Sequence, residues 1–123
     1  MTSAFPMTIS QLAHAADTSV YAVRNYASEG LLEYRKSPEN GYGLYEESAL
    51  ERLCLIRRAL DAGLPLCEIR PLIKAIRRED RHEMLRVIEV LHNKIQDSRR
   101  LLKNLDEVLM QLPEQPDNYL KTT

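Results

Sequence analysis

The sequence has no tryptophan, one phenylalanine, four glycines and two cysteines among its 123 residues. Two cysteines are too few for a disulfide scaffold, and because Cys54 and Cys67 both fall in helical patterns we interpret them as reduced thiols. No apolar run approaches the roughly 20 residues that a membrane-spanning helix needs. The first seven residues carry no basic side chain and do not resemble a signal peptide. We therefore expect a globular protein that resides in the cytoplasm.

An excess of basic residues is also lacking. The chain has 17 lysines and arginines against 18 aspartates and glutamates, for a net charge of −1. Residues 1–63 hold six basic against eight acidic side chains, and residues 64–123 hold eleven against ten. Proteins that bind nucleic acid strongly through phosphates usually show a basic excess. The even balance of charge in this chain therefore argues against strong binding to DNA through phosphates.

The first 30 residues show the pattern of two short helices. Thr8 to Gln11 is a capping box, in which Thr8 accepts from a backbone amide of the helix and Gln11 reaches back to its start. An apolar stripe at helical spacing follows, and residues 17–19 interrupt it and begin a second helix. Glu29 and Gly30 end this helix, with the glycine where a left-handed cap is common. Two short helices joined by a tight turn within about 22 residues predict a helix-turn-helix.

A small wing is predicted next. Residues 32–36 and 42–45 have strand character, and Asn40-Gly41 between them is a strong hairpin signal because both residue types tolerate a positive φ. The wing is therefore a two-stranded antiparallel hairpin.

Two further helices are predicted after the wing. The third runs from about residue 46 to 62, and the fourth from about 66 to 77 with Pro71 in its interior. This proline must kink the fourth helix or remove one of its hydrogen bonds. The inner face of the third helix is predicted to consist of Leu50, Leu53, Cys54 and Leu60.

The longest pattern is an apolar heptad repeat near the carboxyl end. Its positions alternate at intervals of four and three over four heptads, with Ser98 as the single polar member. At about 1.5 Å per residue the stripe is roughly 43 Å long, which is too long for a head of about 75 residues to cover alone. A partner helix is the favoured interpretation, and a helix folded back on its own head is the alternative. The predicted dimer interface consists of Met84, Ile88, Leu91, Ile95, Ser98, Leu102, Leu105, Leu109 and Leu112.

The second short helix has the two faces that a recognition helix needs. Val20, Val23 and Ala27 form an apolar side that can pack on the head, and polar side chains lie away from it or at its edge. The guanidinium of Arg24 can bind a guanine or a phosphate, and tyrosine hydroxyls can donate to phosphates. The alternative is a solvated amphipathic helix with Tyr26 half in the core. The candidate DNA contacts of this helix are Ser19, Tyr21, Arg24 and Tyr26, with Asn25 also away from the apolar stripe, and those of the first wing strand are Arg35 and Lys36.

Six segments, taken together, resemble the head of MerR-type transcriptional regulators in order and spacing. They are Met7-Thr-Ile-Ser-Gln-Leu-Ala13, Val23-Arg-Asn-Tyr26, Glu29-Gly-Leu-Leu32, Gly41-Tyr-Gly-Leu-Tyr45, Leu50-Glu-Arg-Leu53 and Ala62-Gly-Leu-Pro-Leu-Cys-Glu-Ile69. The resemblance implies a mainly α-helical chain with a winged helix-turn-helix head and a dimerisation helix that forms an antiparallel coiled coil. It further implies a homodimer that binds a palindromic promoter and controls transcription by distorting an over-long spacer. By position it assigns DNA contacts to Arg24 and Tyr26 in the helix and to Arg35, Tyr42 and Tyr45 in the wing.

Several departures from the family pattern are informative. The arginine that usually follows the wing's Gly-Tyr is Gly43 here, which removes a phosphate contact, and the usual aromatic before the helix tyrosine is Asn25. Metal-sensing members place cysteines at the start of the dimerisation helix and in a loop after it, and this chain has neither. We interpret His82, near the first place, as a helix-end residue and expect no metal site and no cofactor. These traits are similar to the MerD-like branch, the short coregulators of mercury-resistance operons.

The predicted organisation has four parts: a disordered segment 1–6, a DNA-binding head 7–78, a dimerisation helix 79–112 and a flexible tail 113–123. The predicted function is a secondary DNA-binding regulator that has no metal-sensing site of its own. Its expected partners are double-stranded promoter DNA and a second copy of itself, with RNA polymerase and a related MerR-type regulator as further candidates and no membrane. The alternative is a protein-interaction coregulator that works mainly through a related metal-sensing regulator. No nucleophile is paired with a base at a useful spacing, so we do not expect an enzyme.

Overall fold

A computed structural model describes residues 4–114 and 120 of the chain. The chain divides into two compact units, residues 1–81 and 82–123. The predicted class, a mainly helical chain with a small two-stranded wing and a long final helix, is confirmed. Its elements in chain order are α1 (Ile9–Ala15), α2 (Val20–Ser28), β1 (Arg35–Lys36), β2 (Gly43–Leu44), α3 (Glu47–Asp61), α4 (Leu66–Arg77) and α5 (Arg81–Gln111).

The predicted terminal segments lie only partly within the described residues. Of the segment 1–6, residues 4–6 are described, and Phe5 is half-buried. Of the tail 113–123, Pro113, Glu114 and Leu120 are described, and the rest lies outside. The long helix begins at Arg81 rather than at residue 79, because Glu79 lies in the turn that ends α4.

Side-chain caps begin the first two helices, as the sequence predicts. The Thr8 hydroxyl accepts from the Gln11 amide at 3.2 Å, and the Gln11 side chain accepts from the Thr8 amide at 2.9 Å. This is the predicted capping box. The Ser19 hydroxyl accepts from the Ala22 amide at 3.0 Å and caps α2. Both caps satisfy amides that lack partners within the helix, so the starts of α1 and α2 are fixed locally.

Helices α1 to α4 all end in the same left-handed turn. In each, the amide after a residue of positive φ bonds to a carbonyl five residues earlier, at 2.9 to 3.0 Å. Gly30 and Gly63 occupy two of these positions with φ of 78° and 86°, whereas Asp17 and Glu79 occupy the others with φ of 54° and 55°. Two helices therefore end on residues for which this conformation is sterically unfavourable.

The core of the 1–81 unit consists of two apolar clusters. Leu31 and Leu32 are both buried but contribute to different clusters, and Tyr26 packs against both. The larger cluster contains Leu12, Ala13, Ala16, Val23, Leu32, Tyr45, Ala49 and Leu53, and the smaller contains Leu31, Ile56 and Ile73. The segment after α2 is thus anchored on two sides by consecutive leucines.

The inner face of α3 differs from the predicted one. Ala49, Leu53 and Ile56 are buried, whereas Leu60, which was predicted to face inward, is exposed. The remaining predicted members, Leu50 and Cys54, are half-buried beside the larger cluster. The buried residues follow each other at intervals of four and three, so the stripe is rotated slightly from the predicted one.

The wing is a short antiparallel hairpin. Arg35 pairs with Leu44 and Lys36 with Gly43. The Ser37 amide bonds to the Tyr42 carbonyl at 2.8 Å and closes the loop, in which Gly41 alone has a positive φ, of 74°. The predicted hairpin is present, but its loop is longer than the two-residue turn that Asn-Gly favours.

A backbone bridge joins the two ends of the first half of the 1–81 unit. Met7 and Tyr45 exchange two backbone hydrogen bonds of 2.8 Å, which join the start of the chain to the end of the wing.

In α4, Pro71 lies on the exposed side of a continuous helix. It removes one hydrogen bond, to the carbonyl of Cys67, and exposure lets water bind that carbonyl instead.

The 82–123 unit consists mainly of α5. This helix has 31 residues, which at about 1.5 Å per residue makes it about 46 Å long. It holds the heptad stripe except for Leu112, which follows its last residue. Among the described residues, no helix is both long and apolar enough to cross a membrane.

Candidate nucleic-acid interface

Helix α2 presents the two faces that were predicted for it. Val23 is buried, and the Tyr26 side chain is half-buried between the two core clusters. On the other side Arg24 and Asn25 are exposed, and Tyr21 is 74% exposed. The outward face therefore offers a guanidinium, an amide and a phenol, which are donors that can reach base edges and phosphates.

Two of the predicted α2 contacts also have structural roles. The Ser19 oxygen accepts from the Ala22 amide, although its hydroxyl hydrogen can still donate to a phosphate. Tyr26 contributes its ring to the core and so presents less surface than Tyr21. For both residues the assignment to DNA stays a prediction.

The wing presents its charges next to α3. Nε of Arg35 lies 3.3 Å from Oε1 of Glu46, the residue that precedes α3, and the pair is about half exposed. Lys36 is exposed, and Tyr42 in the loop is 71% exposed. An exposed ion pair of this kind is weak, so Arg35 can exchange Glu46 for a phosphate at little cost.

Tyr45, a predicted wing contact, lies in the core. It is 3% exposed, and its ring centroid lies 5.7 Å from that of Tyr34. Burial and the neighbouring Tyr34 raise the pKa of Tyr45, and the positive charge of Arg24 opposes this shift. The ring thus packs in the larger core cluster, near enough to Arg24 for its charge to act on the phenol. This placement favours a supporting role for Tyr45 over a direct contact with DNA.

Tyr34 is a site residue that the sequence analysis missed. Its ring covers Gly43, where an added Cβ would lie 3.2 Å from Cδ2 of Tyr34. A half-exposed tyrosine therefore occupies the space above the position where the family usually has arginine. Pairing of the two predicted strands could have indicated this placement. Arg35 pairs with Leu44, so Tyr34, the residue before Arg35, falls opposite Tyr45.

Arginines neutralise several acids of the head. Nη2 of Arg70 lies 2.7 Å from Oε2 of Glu29, and Nε of Arg77 lies 2.9 Å from Oε1 of Glu33. Both arginines belong to α4, beyond the segment whose negative balance argued against DNA binding. Residues 1–81 contain eleven basic and eleven acidic side chains, so this unit has no net negative charge.

The heptad stripe of α5 is largely exposed in a single chain. Ile88, Ile95, Leu102, Leu105 and Leu109 are exposed, with Leu102 at 64%. The other apolar members, Met84, Leu91 and Leu112, are half-buried, and Ser98 is exposed. An apolar stripe of this length is typical of a surface that binds another helix.

Candidate metal ligands are sparse in the part of the chain that the structure describes. Cys54 is half-buried and Cys67 exposed, and neither forms a disulfide. Residues 4–114 and 120 contain no group of three or more histidine, cysteine or acidic side chains placed to hold a metal ion.

Comparison with known proteins identifies the class. Residues 7–76 match the family described as "MerR HTH family regulatory protein". This match spans more than half of the chain, and the chain therefore belongs to the MerR family of helix-turn-helix transcriptional regulators. The family predicted from the six segments is confirmed.

Individual relatives include several named MerD. The chain is 36% identical over 106 residues to the HTH-type transcriptional regulator MerD of Shigella flexneri, covering 86% of this chain and 88% of the relative. It is 33% identical over 120 residues to MerD of Pseudomonas aeruginosa, covering 98% of both. A solved structure with 19% identity and a TM-score of 0.69 covers 95% of this chain and 88% of its own, and is described as HiNmlR, a MerR family regulator lacking the sensor domain, bound to promoter DNA.

Proposed function

We propose that this chain is a promoter-binding transcriptional regulator that acts as a homodimer and has no metal-sensing site of its own. The observation that carries this proposal is the outward face of α2, where Arg24 and Asn25 are exposed together with Tyr21, which is 74% exposed. The family supports it, since two MerD relatives are transcriptional regulators and not enzymes. As a regulator of bacterial promoters it would act in the cytoplasm.

The proposed contacts with DNA come from two elements. Tyr21 and Arg24 of α2 would enter the major groove, and Arg35, Lys36 and Tyr42 of the wing would contact the flanking backbone. The solved relative bound to promoter DNA supports this arrangement at the level of the fold. Because the unit has no basic excess, these few side chains would have to provide most of the specific affinity.

The proposed dimer forms through α5. In an antiparallel pair, residues whose numbers sum to about 196 face each other, so Ser98 would meet its own copy at the two-fold axis. Leu91 would lie opposite Leu105 of the second copy, and Ile95 near Leu102. A small hydroxyl at the crossing point would let the helices approach closely.

The proposed role is that of a secondary regulator in mercury resistance. It rests on the MerD relatives and on the lack of cysteines at the start of α5. Such a chain would share a promoter with a related metal-sensing regulator and would modify that regulator's output. RNA polymerase is the further partner that transcriptional control implies.

Substitution of Arg24 tests the DNA contact. Arg24→Ala should weaken operator binding by about 1–3 kcal/mol if the side chain reads a base. Arg100→Ala is the matched control, because Arg100 is an exposed arginine of α5 outside the heptad stripe. Binding is measured by mobility shift at several salt concentrations. Unchanged affinity in Arg24→Ala, with folding confirmed by circular dichroism, would refute the assignment.

The same titration separates direct binding from the alternative. The balance of eleven basic and eleven acidic residues in the 1–81 unit favours a coregulator that needs a related regulator on the operator. A direct binder shifts operator DNA alone and loses affinity steeply as salt rises. A coregulator without its own DNA contacts shifts nothing until the related regulator is added.

Disulfide cross-linking tests the direction of the helices. In a background with Cys54→Ala and Cys67→Ser, the double variant Leu91→Cys, Leu105→Cys is oxidised mildly. An antiparallel dimer should give links between position 91 of one copy and position 105 of the other, since the Cα atoms must approach within about 7 Å. Links of 91 to 91 and of 105 to 105 would instead show parallel helices.

A further inference from the structure

The segment between α2 and β1, residues 29–34, joins the two elements that carry the proposed DNA contacts. Its middle is fixed by burial, since Leu31 and Leu32 anchor it in two different core clusters. Its flanks are polar, with Glu29 just after α2 and Glu33 two residues before β1. We call residues 29–34 the connector. Because the connector joins α2 to β1, a displacement of its backbone would shift α2 relative to the wing.

Two arginines of α4 hold both flanks of the connector. Arg70 donates to Glu29 at 2.7 Å, and Arg77 donates to Glu33 at 2.9 Å. Positions 70 and 77 are two helical turns apart and lie on the same face of α4. The pairs join residues 41 and 44 positions apart in the chain, so they are tertiary contacts and not local ones.

Arg77 makes a second contact with the connector. An added Cβ at Gly30 would lie 3.2 Å from Nη1 of Arg77, so the guanidinium lies directly against the left-handed turn that ends α2. Arg77 therefore contacts the connector at its turn and at Glu33, while Arg70 contacts its first residue. The contacts therefore lie at both ends of the connector and at its turn.

These pairs are better suited to positioning than to stabilisation. Their side chains are between 32% and 55% exposed, and ion pairs in water contribute little to stability. The effect of these ion pairs on geometry and charge at the proposed DNA interface would be larger than their effect on stability. Without the arginines, two uncompensated carboxylates would flank the recognition helix and the wing, where phosphates would approach.

We propose that Arg70 and Arg77 are positioning residues for DNA binding, which hold the connector so that α2 and the wing face one operator together. The inference rests on the proposed DNA contacts of α2 and the wing. It assigns to α4 a role in operator affinity without any contact between these arginines and DNA. Arg70 acts together with Glu29, and Arg77 acts together with Glu33.

The test compares operator affinity across matched variants of the full chain. Arg70→Ala with Arg77→Ala should lower operator affinity by about tenfold, as expected for a coupled charge network. The control is Lys74→Ala with Arg78→Ala, which removes the same charge from two exposed positions, one in α4 and one just after it, and should change affinity much less. Thermal unfolding of both variants should differ by only a few degrees from that of the parent.

Charge exchange distinguishes positioning from a direct phosphate contact. The variant Glu29→Arg, Arg70→Glu, Glu33→Arg, Arg77→Glu keeps the net charge and both pairs, so it should recover most of the lost affinity. Arginines that bind phosphates themselves would not be replaced in this way, and a failure to recover in a folded variant would overturn the proposal. Equal loss in the Lys74 and Arg78 control would overturn it too.

A double-mutant cycle covers the case in which the exchanged variant does not fold. Arg70→Ala should cost little once Glu29→Gln has already broken the pair, whereas independent effects would add. Additive losses would contradict the proposal. If the parent chain shows no shift of operator DNA, the proposed function fails; if the parent binds operator DNA but the losses are additive, the positioning role alone fails.

Discussion

Four helices end in the same hydrogen-bonded turn, and in each turn one residue has a positive φ. Substitutions at these four positions can therefore be compared directly. Gly63 ends α3 and Glu79 ends α4, at φ of 86° and 55°. We propose the reciprocal changes Gly63→Ala and Glu79→Gly. The first puts a Cβ into the left-handed conformation, and the second removes one from it.

The structure allows the magnitude to be worked out. An L-residue in this conformation costs about 1–2 kcal/mol relative to glycine, and a less flexible unfolded chain offsets about 0.4–1 kcal/mol. An added Cβ at Gly63 would meet nothing within 4 Å, so no steric clash adds to the conformational cost. Gly63→Ala should therefore lower the free energy of unfolding by about 1 kcal/mol, and Glu79→Gly should raise it by up to about that amount.

Asp17→Gly extends the series and should stabilise less than Glu79→Gly. A short aspartate side chain tolerates the left-handed conformation better than glutamate does, because it can hydrogen-bond locally. Ala62→Gly is the control. Ala62 precedes Gly63 at a φ of −81°, where glycine offers no relief and should destabilise the protein.

The assay is urea unfolding followed by circular dichroism. All variants must be compared at one protein concentration, because association through α5 would link stability to concentration. Equal slopes against urea would show that the midpoint shifts report stability alone. Stability that is unchanged in Gly63→Ala, or lowered in Glu79→Gly, would refute the reasoning from backbone conformation.

Three further outcomes are expected. Because its folded pKa is raised, Tyr45 stays protonated after the unfolded chain has lost its phenolic proton, so stability should fall above about pH 10. Tyr45→Phe should reduce that fall in an alkaline unfolding series, and an identical fall would contradict the burial argument. Calorimetric titration of the thiol-reduced protein with Zn(II) or Hg(II) should show only weak binding or thiol capping, and a tight site lost in His82→Ala would disprove this. Gly43→Arg should strengthen operator binding more in a Tyr34→Ala background, because the Tyr34 ring covers Gly43; equal effects in both backgrounds would show that the ring moves aside freely.

Local signals made much of this fold predictable from the sequence. The Thr8 capping box, the glycine after α2 and the Asn40-Gly41 hairpin are each fixed by residues within a few positions of each other. The heptad stripe is equally local, since it depends on spacing along one helix. The α2 face carrying Arg24 follows from the same periodicity.

Tertiary contacts account for what the sequence could not predict. The pairing of Glu29 with Arg70 joins residues 41 positions apart, and no local pattern relates them. The burial of Tyr45 depends on packing with Tyr34 and on a backbone bridge to Met7. Left-handed turns at aspartate and glutamate were also missed, because glycine is the residue that normally marks them.

The balance of charge in the 1–81 unit has a consequence for how an operator would be found. Non-specific attraction to bulk DNA is mainly electrostatic, and this unit has eleven basic side chains against eleven acidic ones. Chromosomal DNA would therefore retain few molecules, and most copies would remain free in solution. Occupancy of the operator would then follow the number of copies in the cell closely, since competing genomic sites would sequester little of the protein.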